Sequence, residues 1–167
     1  MIIASFVLLF GFIGLGIFKF GLLPSYSAYA AKWSERVPLP TNVHLWSIIT
    51  ILAAFLLTPV MVDLGEGNLL QCLGFFAPIY LMVVGLTPTY ETNPKAWKIH
   101  TWGAAVCAVL ALVWIVFVAK CWPAFLACAF LMFFLAILTG THEKSAIFWG
   151  EMALFLGTYV TCFVAYV

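Results

Sequence analysis

The sequence predicts an all-α membrane protein, a polytopic bundle of six transmembrane helices with both termini on the outer side (N-out and C-out). Three observations carry this. First, 66% of the 167 residues are hydrophobic and only 8% are charged, against roughly 25% charged in a soluble domain. A chain this apolar cannot cover itself with polar surface in water, so lipid must serve as part of its solvent. Second, the apolar residues fall into six stretches near the length a spanning helix needs, about 20 residues. Third, lipid offers no partners to open backbone, so each stretch must close its own hydrogen bonds as a helix.

The predicted spans are residues 2–23, 44–62, 68–87, 97–119, 121–138 and 145–166, forming a single transmembrane domain over residues 1–167. In the first, IIASFVLLFGFIGLGIF follows Met1 with no Lys or Arg before it. A signal peptide would open on a basic region, so this stretch reads as a retained span. The longest connection, residues 24–43, is PSYSAYAAKWSERVPLPTNV. Its part SYSAYAAKWSER lacks Pro and Gly and reads as a short interfacial helix ended by PLPTN, with Thr41 or Asn42 placed to cap the second span. Pro59 and Pro78 fall inside spans two and three, where neighbouring helices or a hydroxyl such as Thr58 supply compensating bonds. Gln71, Gly74, Pro78 and Gly85 share one face of span three, and His100, Gly103, Ala104, Cys107 and Ala111 share one face of span four. Small residues in a stripe let helices approach closely. The turn KCWP (120–123) is so tight that spans four and five must form a hairpin.

Orientation follows from the basic residues. Lys19, Lys32, Arg36, Lys95, Lys98 and Lys144 fall on one side and only Lys120 on the other. Basic loops stay cytoplasmic, so both termini face outward, and the expected location is the inner membrane of a bacterium. Trp33, Trp46, Trp97, Trp102 and Trp149 lie toward the same side, as an aromatic belt would. The net charge of +1 gives no reason to expect nucleic acid. The five cysteines include no CxxC pair, so they suggest neither a zinc ribbon nor a thioredoxin-type site. Cys72, Cys121 and Cys162 fall toward one face, where one disulfide is possible.

Ionisable groups inside a span are costly and normally face the bundle interior with a partner. Glu151 is the sharpest such residue, about 9 Å into span six at 1.5 Å per residue. Glu151, Thr158 and Cys162 share a helical face and sketch an inward polar stripe. His44 and His100 begin spans two and four, and His142 lies in the fifth loop. Joined with Ser25 and Ser27, the residues Glu151, His100 and His44 form a candidate ligand-binding set. His and Glu together can also bind a metal or move a proton, so His100, His44 and Glu151 are the candidate metal ligands, with zinc as the ion. The alternative is structural. Glu151 would pair with Lys98, Lys144 or a histidine and lock helices, and the histidines would be interfacial anchors. Asp63 and Glu66 read as a solvated turn. No nucleophile elbow, Walker loop, HExxH or dinucleotide turn is present.

PSYSAYA (24–30), GFFAPIYLMVVGLTPTY (74–90) and KIHTWGAAVCAVLALVW (98–114) occur in this order. Over about residues 20–120 the chain resembles a group of small six-helix membrane proteins of gut Bacteroidota and their phages. More remotely it is similar to the superfamily of alkaline ceramidases and progestin/adiponectin-type receptors. That resemblance implies a zinc ion held by three histidines near one membrane face, assisted by Ser and Asp, and in several members cleavage of lipid amides. Ser27 would match the serine after the first span, and His100 a membrane-face histidine. The chain departs from the superfamily in lacking HxxxH on its last span, where Glu151 stands, in having no Asp within a span, and in having six spans where seven are usual.

Three functions are compatible with these residues. The first is binding or transport of a small molecule or lipid through a cytoplasm-side polar pocket running from His100 past Glu151 to Thr158. The others are a non-catalytic membrane component and a metal-dependent intramembrane lipid hydrolase. Six short helices enclose little volume, so a large pocket would call for a homo-oligomer in the bilayer.

Overall fold

The computed structural model describes residues 1–34, 44–87, 93–141 and 145–166. The described residues form helices and turns, with no strand among them. In chain order these are α1 (Ile2–Phe20), α2 (Ala28–Ser34), α3 (Leu45–Asp63), α4 (Leu73–Gly85), α5 (Pro94–Val113) continued by a π turn (Trp114–Val118), α6 (Trp122–Leu138) and α7 (Ala146–Tyr166). Among the described residues, four helices are long and apolar enough to cross a membrane: Ile2–Phe20, Leu45–Asp63, Pro94–Val118 and Ala146–Tyr166. The 13-residue α4 and the 17-residue α6 are apolar but shorter.

Local chemistry sets the ends. Asn93 caps α5 by accepting from the N–H groups of Lys95 (3.0 Å) and Ala96 (3.4 Å), with Pro94 in the first turn where its missing N–H costs nothing. Gly21 ends α1 at φ 73°, a left-handed conformation that a side chain would oppose. The proposed caps Thr41 and Asn42 lie outside the described residues, and His44 occupies the N-cap position of α3 without a side-chain capping bond.

Span three is the main correction. Helix was expected from residue 68, but residues 64–72 are turns and α4 starts at Leu73. The Gln71 amide donates to the Val62 carbonyl (3.0 Å), and Asn68 donates to the Phe117 carbonyl (3.2 Å) while accepting from the Leu70 N–H (2.9 Å). These side chains tie the turn to the end of α3 and to the π turn, and Leu69 points away fully exposed instead of continuing a helix.

Close approaches hold the bundle. A Cβ on Gly74 would lie 2.6 Å from the Met61 carbonyl oxygen, so α4 sits directly on the α3 backbone. The same carbonyl accepts a hydrogen bond from Trp114 Nε1 at 3.2 Å. Trp114 opens the π turn, in which the Ala119 N–H bonds back to the Trp114 carbonyl (2.9 Å), and both Trp114 and Ile115 are fully buried. The chain then reverses at Lys120, a non-glycine residue with φ 53°. On α1, Ser5 donates to the Ala53 carbonyl (2.6 Å), so the Tyr159 phenol must be the donor in its 2.5 Å contact with the Ser5 hydroxyl. Helix α6 packs on α7, where Gly157 admits the Phe125 ring, and leaves Phe130, Phe133 and Phe134 exposed. All five cysteines are free.

The face of α5 read from residue spacing is the buried one: His100, Gly103, Cys107 and Ala111. The aromatic belt needs amendment. Trp97 and Trp102 are exposed, but Trp46 is completely buried in the core.

Candidate functional site

The described part of the segment between α1 and α3, residues 21–34, contains the expected short helix (α2) and docks into the bundle as a plug. Tyr26, Ser27, Tyr29 and Ala30 are all buried. The Tyr29 ring lies so close to Gly16 that a Cβ there would come within 2.6 Å of it. The Tyr29 phenol donates to the Gly21 carbonyl (2.9 Å) and accepts from the Leu23 N–H (3.2 Å). Ser25 accepts from the Ala28 N–H (3.2 Å), starting α2. The plug then docks on two neighbours. The Pro24 carbonyl accepts from the Phe148 N–H of α7 (3.0 Å), and the Tyr26 phenol is paired with Thr50 of α3 (2.8 Å). Burial pushes that phenol well above the usual tyrosine range, and Tyr29 shifts the same way for the same reason.

Glu151 is one turn beyond Phe148 on the same face of α7. Its Oε2 accepts a hydrogen bond from the Tyr26 backbone N–H at 2.6 Å. This is shorter than an ordinary N–H···O bond. Among the described residues Glu151 has no ion-pair partner, and Oε1 has no hydrogen-bond partner. The carboxyl group is partly buried at the edge of a cavity of about 130 Å³. The walls come from four elements: Tyr26 and Ser27 of the plug, Leu81 and Val84 of α4, Ala104, Cys107 and Ala108 of α5, and Leu154 and Phe155 of α7. Small side chains on α5 make the space. A second cavity of about 30 Å³ continues deeper, sharing Leu81, Cys107, Leu154 and Phe155 and ending at Thr158 and Tyr159.

The expected polar path is only partly present. Thr158 is buried and lines the deeper cavity, but its hydroxyl bonds back to the Leu154 carbonyl (2.8 Å). The route from Glu151 to Thr158 is therefore apolar along its walls. His100 does point into the bundle, yet it lines neither cavity. Its Nδ1 pairs with the Thr87 hydroxyl (3.1 Å), the Val84 backbone holds it further, and its ring lies 6.2 Å from that of Trp46. His44 is partly buried at the start of α3. Ser27 lines the cavity beside Glu151 and pairs with Ser25 (3.2 Å). The structure thus joins Glu151 and Ser27 and leaves His100 and His44 apart from them. Among the described residues no three His, Cys, Asp or Glu side chains gather to hold a metal, so His100, His44 and Glu151 do not form a ligand set. His142 and Lys144 lie outside the described residues.

Among the cavity residues not foreseen from sequence are Tyr26 and Phe155. The first contributes a backbone N–H, which any residue would carry. The second is one of 16 phenylalanines, with nothing in its local pattern to single it out.

The fold and the site define an integral membrane protein with a carboxylate set beside an interior cavity. Comparison of the chain with protein-family models, curated proteins and solved structures gave no match.

Proposed function

We propose that this protein binds or carries a small, largely apolar molecule or lipid in the cavity at Glu151. The single observation behind the reading is a carboxylate that lines an apolar cavity and, among the described residues, has no cation beside it. A charge at such a place is costly, and pockets that bind small molecules combine apolar walls with a few placed polar groups. In this reading all six helices cross the membrane, N-out and C-out, in a bacterial inner membrane, and the cavity opens toward the cytoplasm. Support for the orientation is the six-to-one distribution of basic residues. At 1.5 Å per residue α4 covers only about 20 Å of a hydrocarbon layer about 30 Å thick. The turns before it, tied by Asn68 to Phe117 and by Gln71 to Val62, complete its crossing.

The test is binding in lipid nanodiscs, using native mass spectrometry to look for a co-purifying molecule. Wild type is compared with Ala108→Phe, which fills the cavity from α5. A ligand retained by wild type and lost in the variant supports the reading. Identical spectra from the two proteins reject it.

A second reading is favoured by the Tyr26–Glu151 bond: the carboxylate is a structural lock for the plug. In that case Glu151 substitutions change stability alone, and no molecule co-purifies with the wild type.

A further inference from the structure

Building on the reading that the Glu151 cavity binds a small molecule, we propose that its ligand is an organic cation, a protonated amine carrying a short apolar body. Three features of the cavity point the same way. Glu151 Oε2 is held by the Tyr26 N–H, which fixes the carboxylate's orientation, while Oε1 remains without a protein partner among the described residues. No described Lys or Arg pairs with the group, so a bound ammonium would be the ion-pair partner that favours its charged form in the interior. A neutral ligand offers no such partner, and an anionic one would be repelled by the charged form.

The second feature is aromatic. Tyr26 and Phe155 both line the cavity next to Glu151, with ring centroids 5.5 Å apart at 83°. An aromatic ring such as that of Phe155 beside a carboxyl group matches the chemistry that recognises ammonium groups, because a ring quadrupole adds to the ionic attraction. The Ser27 hydroxyl on the same wall is a further acceptor for an ammonium N–H.

The third feature is size and polarity. The remaining walls are Leu81, Val84, Ala104, Cys107, Ala108 and Leu154, and the space is about 130 Å³. An engineered apolar cavity of about 150 Å³ accepts benzene, so this one suits a body of about five or six carbons.

The probes are n-pentylamine, n-pentanol and pentanoate, titrated by calorimetry into protein in zwitterionic nanodiscs, with empty nanodiscs as the blank. Wild type should bind the amine at least about tenfold more tightly than the alcohol, the scale of one desolvated charge contact, and should not bind the acid. Glu151→Gln keeps an acceptor for the Tyr26 N–H but removes the charge, and should bring amine and alcohol to the same affinity. Equal binding of amine and alcohol by wild type overturns the cation inference while leaving the binding function standing. No binding of any probe overturns both. If Glu151→Gln does not fold, Ala108→Phe decides the matter: it should abolish amine binding with Glu151 in place, and undiminished amine binding there would put the amine elsewhere and refute the proposal.

Discussion

Replacing Glu151 by leucine rather than glutamine separates the roles of its charge and its acceptor atom. Tyr26 is buried, and its N–H donates to Glu151 Oε2 at 2.6 Å. Leucine removes that acceptor and leaves a buried donor unpaired. Hydrogen bonds to charged groups contribute about 1.5–3 kcal/mol, and an orphaned buried donor costs about the same. Glutamine preserves an acceptor of the same reach, so its cost should stay below about 1 kcal/mol. We therefore expect Glu151→Leu to destabilise by about 2 kcal/mol, most of it felt locally at the plug. In hydrogen exchange the Tyr26 amide should lose about thirtyfold protection, since about 1.4 kcal/mol corresponds to a factor of ten. The Phe148 amide, one turn away and bonded to Pro24, should lose less. The measurement is exchange mass spectrometry in nanodiscs, resolved to the peptide holding residues 24–30. If leucine and glutamine behave alike there, or if the Tyr26 amide is indifferent to both, the lock between α7 and the plug is not what secures this segment.

Other expectations follow from single contacts. Gly74→Ala sets a Cβ 2.6 Å from the Met61 carbonyl, and Trp114→Phe strips that carbonyl of its donor. Each should cost about 1–3 kcal/mol in an unfolding titration in mixed micelles, and the double variant should show coupling, because both act on one atom. Lys120→Gly should stabilise by about 1 kcal/mol by relieving a left-handed residue at φ 53°, seen as a raised Tm. The raised phenols of Tyr26 and Tyr29 make stability fall with alkali. They stay protonated in the fold, whereas in the unfolded chain they ionise near pH 10. Their contribution is therefore complete below about pH 10 and declines above it. Unfolding curves at pH 9 and pH 11 should show a smaller drop for Tyr26→Phe than for wild type.

Much of the helical layout was legible because lipid allows little else. The apolar runs became helices, and the small-residue face of α5 was correctly placed inward from spacing alone. The failures share a cause. Residues 68–72 are apolar enough to read as helix, and only contacts from Asn68 to Phe117 and from Gln71 to Val62, distant in sequence or specific in geometry, turn them into a loop. Trp46 looked interfacial by position, but the plug covers it with Tyr26, whose ring lies 5.6 Å away. Glu151 stood out because a carboxylate in a span is rare. Its partner did not, because a backbone N–H leaves no mark in the sequence. His100 was rightly turned inward, but its partners, Val84 of α4 and Thr87 just beyond that helix, hold it away from the carboxylate. The polar set drawn from residue types was therefore larger than the one the helices assemble.

The contacts that seat the plug also impose an order on biogenesis. Residues 21–30 emerge from the ribosome right after α1, but the Tyr26 amide finds its acceptor 125 positions later, and the Pro24 carbonyl is likewise met by α7. Until that helix is inserted, the nascent segment has to keep those groups solvated at the headgroup level. The partners of Tyr26 and Tyr29 on α1 and α3 are made first, so the plug has its Thr50 and Gly21 bonds within reach early. The bonds that join Tyr26 and Pro24 to α7 wait for the last helix. A chain halted before α7 should therefore leave the Tyr26 amide unprotected while Trp46 is already covered.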